Sequence, residues 1–293
     1  MRYARHHNTK PNQIVRKYSE FFKDLLDELC NKESTPMHSY YKFAKKDISF
    51  EFRKLYFLKR LNYVYKNIVG SDNIVWDCGC GYGTTGLFLA MNGIRTIGYT
   101  IEPVFYNLIF DRFNYWRQFG PVELFTVEYR NIFYDPPAPS FADIIIVQDT
   151  LHHLEPLSDA LSILKNALKA NGRIIVIEEN GANPIQQSLL YWRRGHNKVR
   201  IYYDDVLGRE VVIGDENIRN IKQWSSYFNS AGLDLELNSL EYIRFFPPFV
   251  YSLVKSETVN TIENFLVRKL SLVNVLFFGM NFIARHKIDS TRN

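Results

Sequence analysis

The sequence predicts an α/β fold, doubly wound around an open, mostly parallel sheet. Three observations predict it. Short apolar runs alternate with stretches of helical periodicity from about residue 73 to residue 178. Strands of that kind, joined by helical crossovers, lie in a parallel sheet covered on both faces. The run Ile74-Val75-Trp76 ends in Asp77, and Gly79, Gly81 and Gly83 follow before the pattern turns helical at Leu87-Phe88-Leu89-Ala90. Finally, the 293 residues are 46% hydrophobic with 15 Gly and 11 Pro, a globular composition and not a disordered or collagenous one.

The elements follow in order. Residues 1–10 are basic and polar without an apolar core, so no signal peptide is expected. Residues 13–30 place Ile14, Tyr18, Phe21, Phe22, Leu25 and Leu29 at helical spacing, and Ser34-Thr35-Pro36 breaks the chain. A second helix is predicted over residues 52–69. Leu55, Leu58, Leu61, Tyr65 and Ile68 share one face, Lys54, Lys59 and Arg60 lie off it, and Gly70-Ser71-Asp72 closes it. Strands are then expected at residues 73–76, 95–101, 122–128, 142–147 and 173–178, with helices at 84–92, 103–119 and 157–169. Pro103 suits a first helical turn, and Asn171-Gly172 reads as a helix stop.

Beyond residue 180 the pattern changes. Residues 180–216 are polar, basic and rich in tyrosine, and a helix is expected at 217–231. Strand-like runs at 233–246 and 276–286 bracket a helical segment at 257–270. The expected organisation is an N-terminal helical cap (1–50), one domain (51–287) with cap segments near 181–216 and 247–272, and a tail (288–293).

Charge and cysteine usage narrow the setting. The net charge of +5 is too small to indicate nucleic acid without a localised patch, and it fits an anionic substrate or a membrane surface. Cys30, Cys78 and Cys80 make an odd count, which argues against a disulfide framework and for a reducing cytoplasm. Cys78 and Cys80 have no further soft ligands near them, so they read as small loop-packing residues and no metal is expected. The apolar run 275–284, interrupted by Asn281, is shorter than the roughly 20 residues a bilayer span needs. Peripheral membrane contact stays open, and no oligomeric state follows from the sequence.

The glycine loop carries the chemistry. Its glycines let the backbone take left-handed angles and leave room for a ligand against it. N–H groups at the helix start favour a carboxylate or phosphate. Two cofactors fit these residues, because Gly81-Tyr82-Gly83-Thr84-Thr85-Gly86 also satisfies the dinucleotide fingerprint Gly-x-Gly-x-x-Gly, with Glu102 about 20 residues on.

Taken together, the pieces resemble a class I S-adenosylmethionine-dependent methyltransferase, strongly over residues 52–180 and loosely over 181–287. Asp77-Cys78-Gly79-Cys80-Gly81-Tyr82-Gly83 matches that family's first motif. The run Asp143 to His153-Leu154, with Gln148-Asp149-Thr150-Leu151-His152-His153, resembles its strand-four motif. Residues 168–178 resemble its fifth-strand signature, with Ala170-Asn171 where Pro-Gly is usual. The resemblance implies a Rossmann-like, seven-stranded sheet with the last strand antiparallel, and S-adenosylmethionine as cofactor. It implies that Asp77, Gly79, Gly81 and Gly83 cradle the methionine moiety, that Asn131 and Ile132 hold adenine, and that Gln148 lines the methionine end.

One position departs. The family's ribose-binding acid ends strand two, where this chain has Thr100, with Glu102 two residues later. Glu102 is the favoured ribose ligand and Thr100 the weaker, neutral alternative; the plainer reading is that Glu102 only caps a helix. Against the dinucleotide reading stand Asp77, the 70-odd residues before the loop, and the histidines after strand four. A non-catalytic S-adenosylmethionine-binding protein is the remaining alternative. No nucleic-acid substrate is expected, because Asp135-Pro136-Pro137 precedes strand four and reads as loop punctuation.

The expected reaction is methyl transfer to a small, anionic or lipid-like molecule, most simply at oxygen. A hydroxyl nucleophile needs its proton removed, which a histidine near neutral pKa does well. His152 aligns with the base of some O-methyltransferases of the resembling family, His153 is its neighbour, and Asp149 would orient a histidine or hold substrate. Each histidine also has a plain packing reading. In the basic segment Tyr191, Arg193 and Arg194 are expected to meet an anionic acceptor, unless they form a solvated loop.

Overall fold

The computed structural model describes residues 16–31, 36–68, 73–269 and 271–287. Residues 13–15 of the first expected helix, Ser34-Thr35, the stop Gly70-Ser71-Asp72, Leu270 and the 288–293 tail lie outside the described residues.

The described residues open with helices α1 (Tyr18–Asn31), α2 (Pro36–Tyr40) and α3 (Phe50–Lys66). It then alternates through β1 (Val75–Cys78), α4 (Thr84–Met91), β2 (Thr96–Thr100), α5 (Pro103–Trp116), β3 (Phe125–Tyr129), β4 (Ala142–Gln148), α6 (Leu157–Ala167) and β5 (Leu168–Glu179). There follow α7 (Pro184–Arg194), β6 (Val199–Asp204), β7 (Arg209–Gly214), α8 (Ile221–Ser230), β8 (Leu233–Ile243), α9 (Val250–Leu253), α10 (Ser256–Lys269) and β9 (Gly279–His286).

Seven strands form one sheet in the order β3-β2-β1-β4-β5-β9-β8. β1 to β5 pair in parallel, and β9 lies antiparallel between β5 and β8. The expected doubly wound, mostly parallel architecture with an antiparallel last strand is therefore present. Its physical basis is the alternation of side chains along each strand. Val75, Ile144, Ile146, Ile175 and Ile177 enter one core with α1, α3, α4 and α5. Trp76, Ile145, Val147, Ile174 and Val176 enter the other, with Trp224, Phe228 and Phe282. The chain leaves β1 for β2 on one side and returns to β4 on the other. That reversal opens a crevice at the carboxyl end of β1, where ligands of open α/β sheets bind.

Three local expectations change. Residues 122–124 form a 3-10 turn after Pro121, and strand three begins at Phe125. α6 ends at Ala167, before Asn171-Gly172, because apolar Leu168 is drawn into the core and pairs with Ala142. The polar segment 180–216 holds helix α7 and the hairpin β6–β7, paired from Val199↔Gly214 to Asp204↔Arg209.

Candidate active site

A cavity of about 630 Å³ lies at the carboxyl ends of β1 to β5. Of the residues expected to bind cofactor, Asp77, Gly79, Gly81, Thr100, Glu102, Asn131, Ile132 and Gln148 line it.

The glycines divide by role. Gly81 sits at φ +52° with nothing within 4 Å of where a Cβ would stand, so its missing side chain is open cavity. Gly83 does not line the cavity. It caps α4 at φ +71°, and a Cβ there would meet the Phe125 ring at 2.6 Å, so it serves packing. Behind the loop lies a fully buried ion pair. Arg112 binds Glu28 of α1 through two nitrogens, and its third nitrogen donates to the Tyr82 carbonyl at 2.5 Å and to Thr84 Oγ1 at 2.7 Å. Trp116 Nε1 also donates to Glu28, at 2.8 Å. The N-terminal helix thus braces the loop from the rear.

Asp77 is 2% exposed, and its side-chain carboxylate accepts no hydrogen bond from the described residues. Burial alone pushes its carboxyl up from 3.8 to about 7. A buried carboxylate without a donor suits a cationic ammonium group. Thr100 is buried and its Oγ1 accepts from the Glu102 N–H at 3.3 Å. Glu102 stands as N-cap of α5 with Pro103 in the first turn, and its side chain makes no capping bond. Asn131 Oδ1 accepts from the Phe133 N–H at 2.9 Å, keeping one lone pair for a ligand, and Thr85 Oγ1 donates to Gln148 Oε1 at 3.3 Å. These groups fit the polar and apolar parts of S-adenosylmethionine.

The other end of the cavity is built from distant segments. Asp149 closes β4 at φ +48°, a left-handed conformation that a non-glycine residue holds only when its surroundings impose it. Its carboxylate pairs with Arg60 of α3. The Tyr56 ring lies between two guanidiniums, Arg60 at 4.9 Å and Arg244 at 4.5 Å, and Arg244 pairs with Glu179 at 3.7 Å. Tyr40, Phe52 and Phe57 on one side and Tyr202, Val211 and Ile213 of the hairpin on the other complete the wall.

Adjacent histidines have opposite environments. His152 is 3% exposed and does not line the cavity; its Nδ1 bonds Glu178 at 2.5 Å and its Nε2 stands 3.5 Å from Glu216. Burial alone would lower its pKa, but Glu178 above all, with Asp149 and Glu216, raises it to about 9. His153 lines the cavity and its Nδ1 stands 2.8 Å from the Gly214 carbonyl. Burial, followed by the charge of His152, lowers its pKa below 6.5. A carbonyl only accepts, so Nδ1 carries the hydrogen and Nε2 the lone pair in the neutral ring. His152, His153 and Glu216 bring donor atoms within 4.8 Å of one another, and the proton on His152 balances the carboxylates around it.

Tyr191, Arg193 and Arg194 are not brought to the cavity. Tyr191 is exposed on α7, Arg193 stands 3.6 Å from Glu216, and Arg194 donates to the carbonyls of Asn197 and Glu216. Sequence reasoning missed Tyr40, Tyr56, Glu179, Tyr202 and Arg244 as lining residues. One signal existed, the cation Arg60 set off the apolar face of its helix.

Cys78 and Cys80 are buried, all three cysteines are free, and no helix of the described residues is long and apolar enough to cross a membrane.

Comparison with known proteins agrees with this geometry. Residues 76–176 match a family model described as a methyltransferase domain, which decides the loop against the dinucleotide reading. No curated protein sequence matches the chain. Among solved structures, geranyl diphosphate C-methyltransferase from Streptomyces coelicolor is similar over 81% of this chain and 83% of its own, at 16% identity and a TM-score of 0.55. A sarcosine dimethylglycine methyltransferase from Galdieria sulphuraria matches over 81% and 88%, at 14% identity and 0.54. The [4+2]-cyclase SpnF matches over 79% and 81%, at 16% identity and 0.53. One fold thus carries several reactions, and the acceptor must be argued from the site.

Proposed function

From the match of residues 76–176 to a methyltransferase-domain model, we propose that the chain is a class I S-adenosylmethionine-dependent methyltransferase that transfers a methyl group to a hydroxyl of a small or lipid-like acceptor, with His153 as general base. S-adenosylmethionine, when bound, supplies a methyl group already activated on a sulfonium. Asp77, Gly79, Gly81, Thr100, Glu102, Asn131, Ile132 and Gln148 would hold it. Glu102 is the charged candidate for the ribose and Thr100 the neutral one.

The observation that carries the choice of base is the contrast between the histidines. His153 lines the cavity, is neutral at pH 7, and has its Nδ1 committed to Gly214. Its Nε2 is then the group that takes the acceptor's proton as the new oxygen–carbon bond forms. His152 already carries a proton at pH 7 and serves as a positioning residue, held by Glu178. Asp149 is engaged by Arg60 and fixes the floor of the acceptor end. The acceptor's body rests on Tyr40, Tyr56 and Tyr202, a wall that suits an apolar or aromatic molecule.

The test is labelled-methyl transfer to a panel of hydroxylated metabolites and lipids. His153→Gln is expected to keep its affinity for S-adenosylhomocysteine and to lose about 100-fold in turnover. Unchanged turnover in that variant removes His153 as base. Cofactor binding with no acceptor turned over would favour the binding-protein alternative.

A further inference from the structure

Outside the cavity, α7 has an unusual exterior. Ile185, Leu189 and Trp192 stand at i, i+4 and i+7 and are 56%, 57% and 88% exposed. That spacing puts all three on one helical face. With Pro184 and Ser188 they line a shallow open depression. The opposite side of the helix is anchored, with Gln186 and Leu190 at 8% exposure, so the apolar stripe is displayed by a fixed element. The stripe continues past the helix start. Asn183, the N-cap of α7, donates to the Leu276 carbonyl at 2.7 Å, tying α7 to the turn Ser271–Leu276, where Leu272 is 88% exposed and Val275 45%.

Charge supplies the identity of the occupant. Residues 184–200 contain Arg193, Arg194, Lys198 and Arg200 and no carboxylate. Glu216 lies 3.6 Å from Arg193 and Asp215 3.3 Å from Arg200, yet these four cations outnumber the two carboxylates, and a net basic border beside an apolar stripe with an exposed tryptophan is complementary to an anionic lipid surface. Tryptophan suits such a boundary because its ring is apolar and its indole N–H polar. We propose that α7 and the adjoining turn form a docking face for the surface of an anionic lipid bilayer. The helix lies in the headgroup plane, with Ile185, Leu189 and Trp192 among the acyl chains and the cations on phosphates. The proposal does not depend on the identity of the acceptor.

The chain carries its own probe. Of its four tryptophans, Trp76, Trp116 and Trp224 are fully buried, so only Trp192 meets an added surface. Vesicles of mixed phosphatidylcholine and phosphatidylglycerol should shift tryptophan emission to the blue and pellet the protein, and brominated acyl chains should quench it. Trp192→Ser should abolish the shift. Leu189→Glu with Trp192→Glu should lower vesicle affinity by at least about tenfold, and Lys198→Gln by about fivefold, with the effect shrinking as salt is raised. An unchanged melting temperature and unchanged S-adenosylhomocysteine affinity show that the double variant is folded. Equal pelleting of the double variant, or equal binding to pure phosphatidylcholine vesicles, overturns the proposal. So does a self-association that the double variant abolishes while vesicles leave emission unmoved, which would assign the face to a second copy of the chain.

Discussion

The two ends of the cavity are built from different kinds of chain. The end we assign to the cofactor comes from short contiguous stretches at the ends of β1, β2, β3 and β4, namely residues 77–82, 99–102, 130–133 and 148. The end we assign to the acceptor gathers Tyr40, Tyr56 and Arg60 from before the sheet, Glu179 from the end of β5, Tyr202 from the hairpin and Arg244 from after β8. At the first end the backbone shapes the site, through Gly81 and the strand termini. At the second, long side chains pair across the space, Arg60 with Asp149 and Arg244 with Glu179. A backbone-shaped site takes one ligand, whereas a wall of paired side chains is free to change its acceptor.

The largest expected effect falls behind the cofactor end. Arg112→Met should destabilise the protein by roughly 3–5 kcal/mol, because it strands Glu28 and the Tyr82 carbonyl in a dry interior. Chemical denaturation measures it. A loss below about 1 kcal/mol would mean that the N-terminal helix does not brace the loop.

His152→Gln probes the boundary between the ends. The folded pKa of His152 is raised from 6.5 to about 9, so its contribution is complete below pH 6.5 and is lost as pH rises through 9. The contribution is on the order of 3 kcal/mol. Stability of the parent protein should therefore fall between pH 6.5 and 9, and the variant should show a flatter profile from a lower start. An identical slope in the two proteins would place the proton elsewhere.

The same contrast decides what the sequence makes legible. The glycine loop, the strand periods and Pro103 depend on neighbours a few residues away, so the sheet and the loop could be read directly. Asp149 was visible as a candidate, but its partner Arg60 is 89 positions away and only the fold joins them. Hairpin β6–β7 is not legible because β6 is exposed on both faces, Val199 to Tyr203 throughout, which leaves no buried period to detect in that strand. The histidines were legible as a pair but not as two different groups. Glu178 on β5 separates their roles, and it reaches His152 only through sheet packing.

The most direct test of the account is calorimetric titration of S-adenosylhomocysteine into the parent chain and into Gly81→Val. The account predicts saturable binding to the parent. In the variant it predicts a loss of about 100-fold or more, since a branched side chain there enters the open cavity from a left-handed residue. Undiminished binding by Gly81→Val, or a parent chain that binds NAD(H) and not S-adenosylhomocysteine, would contradict it.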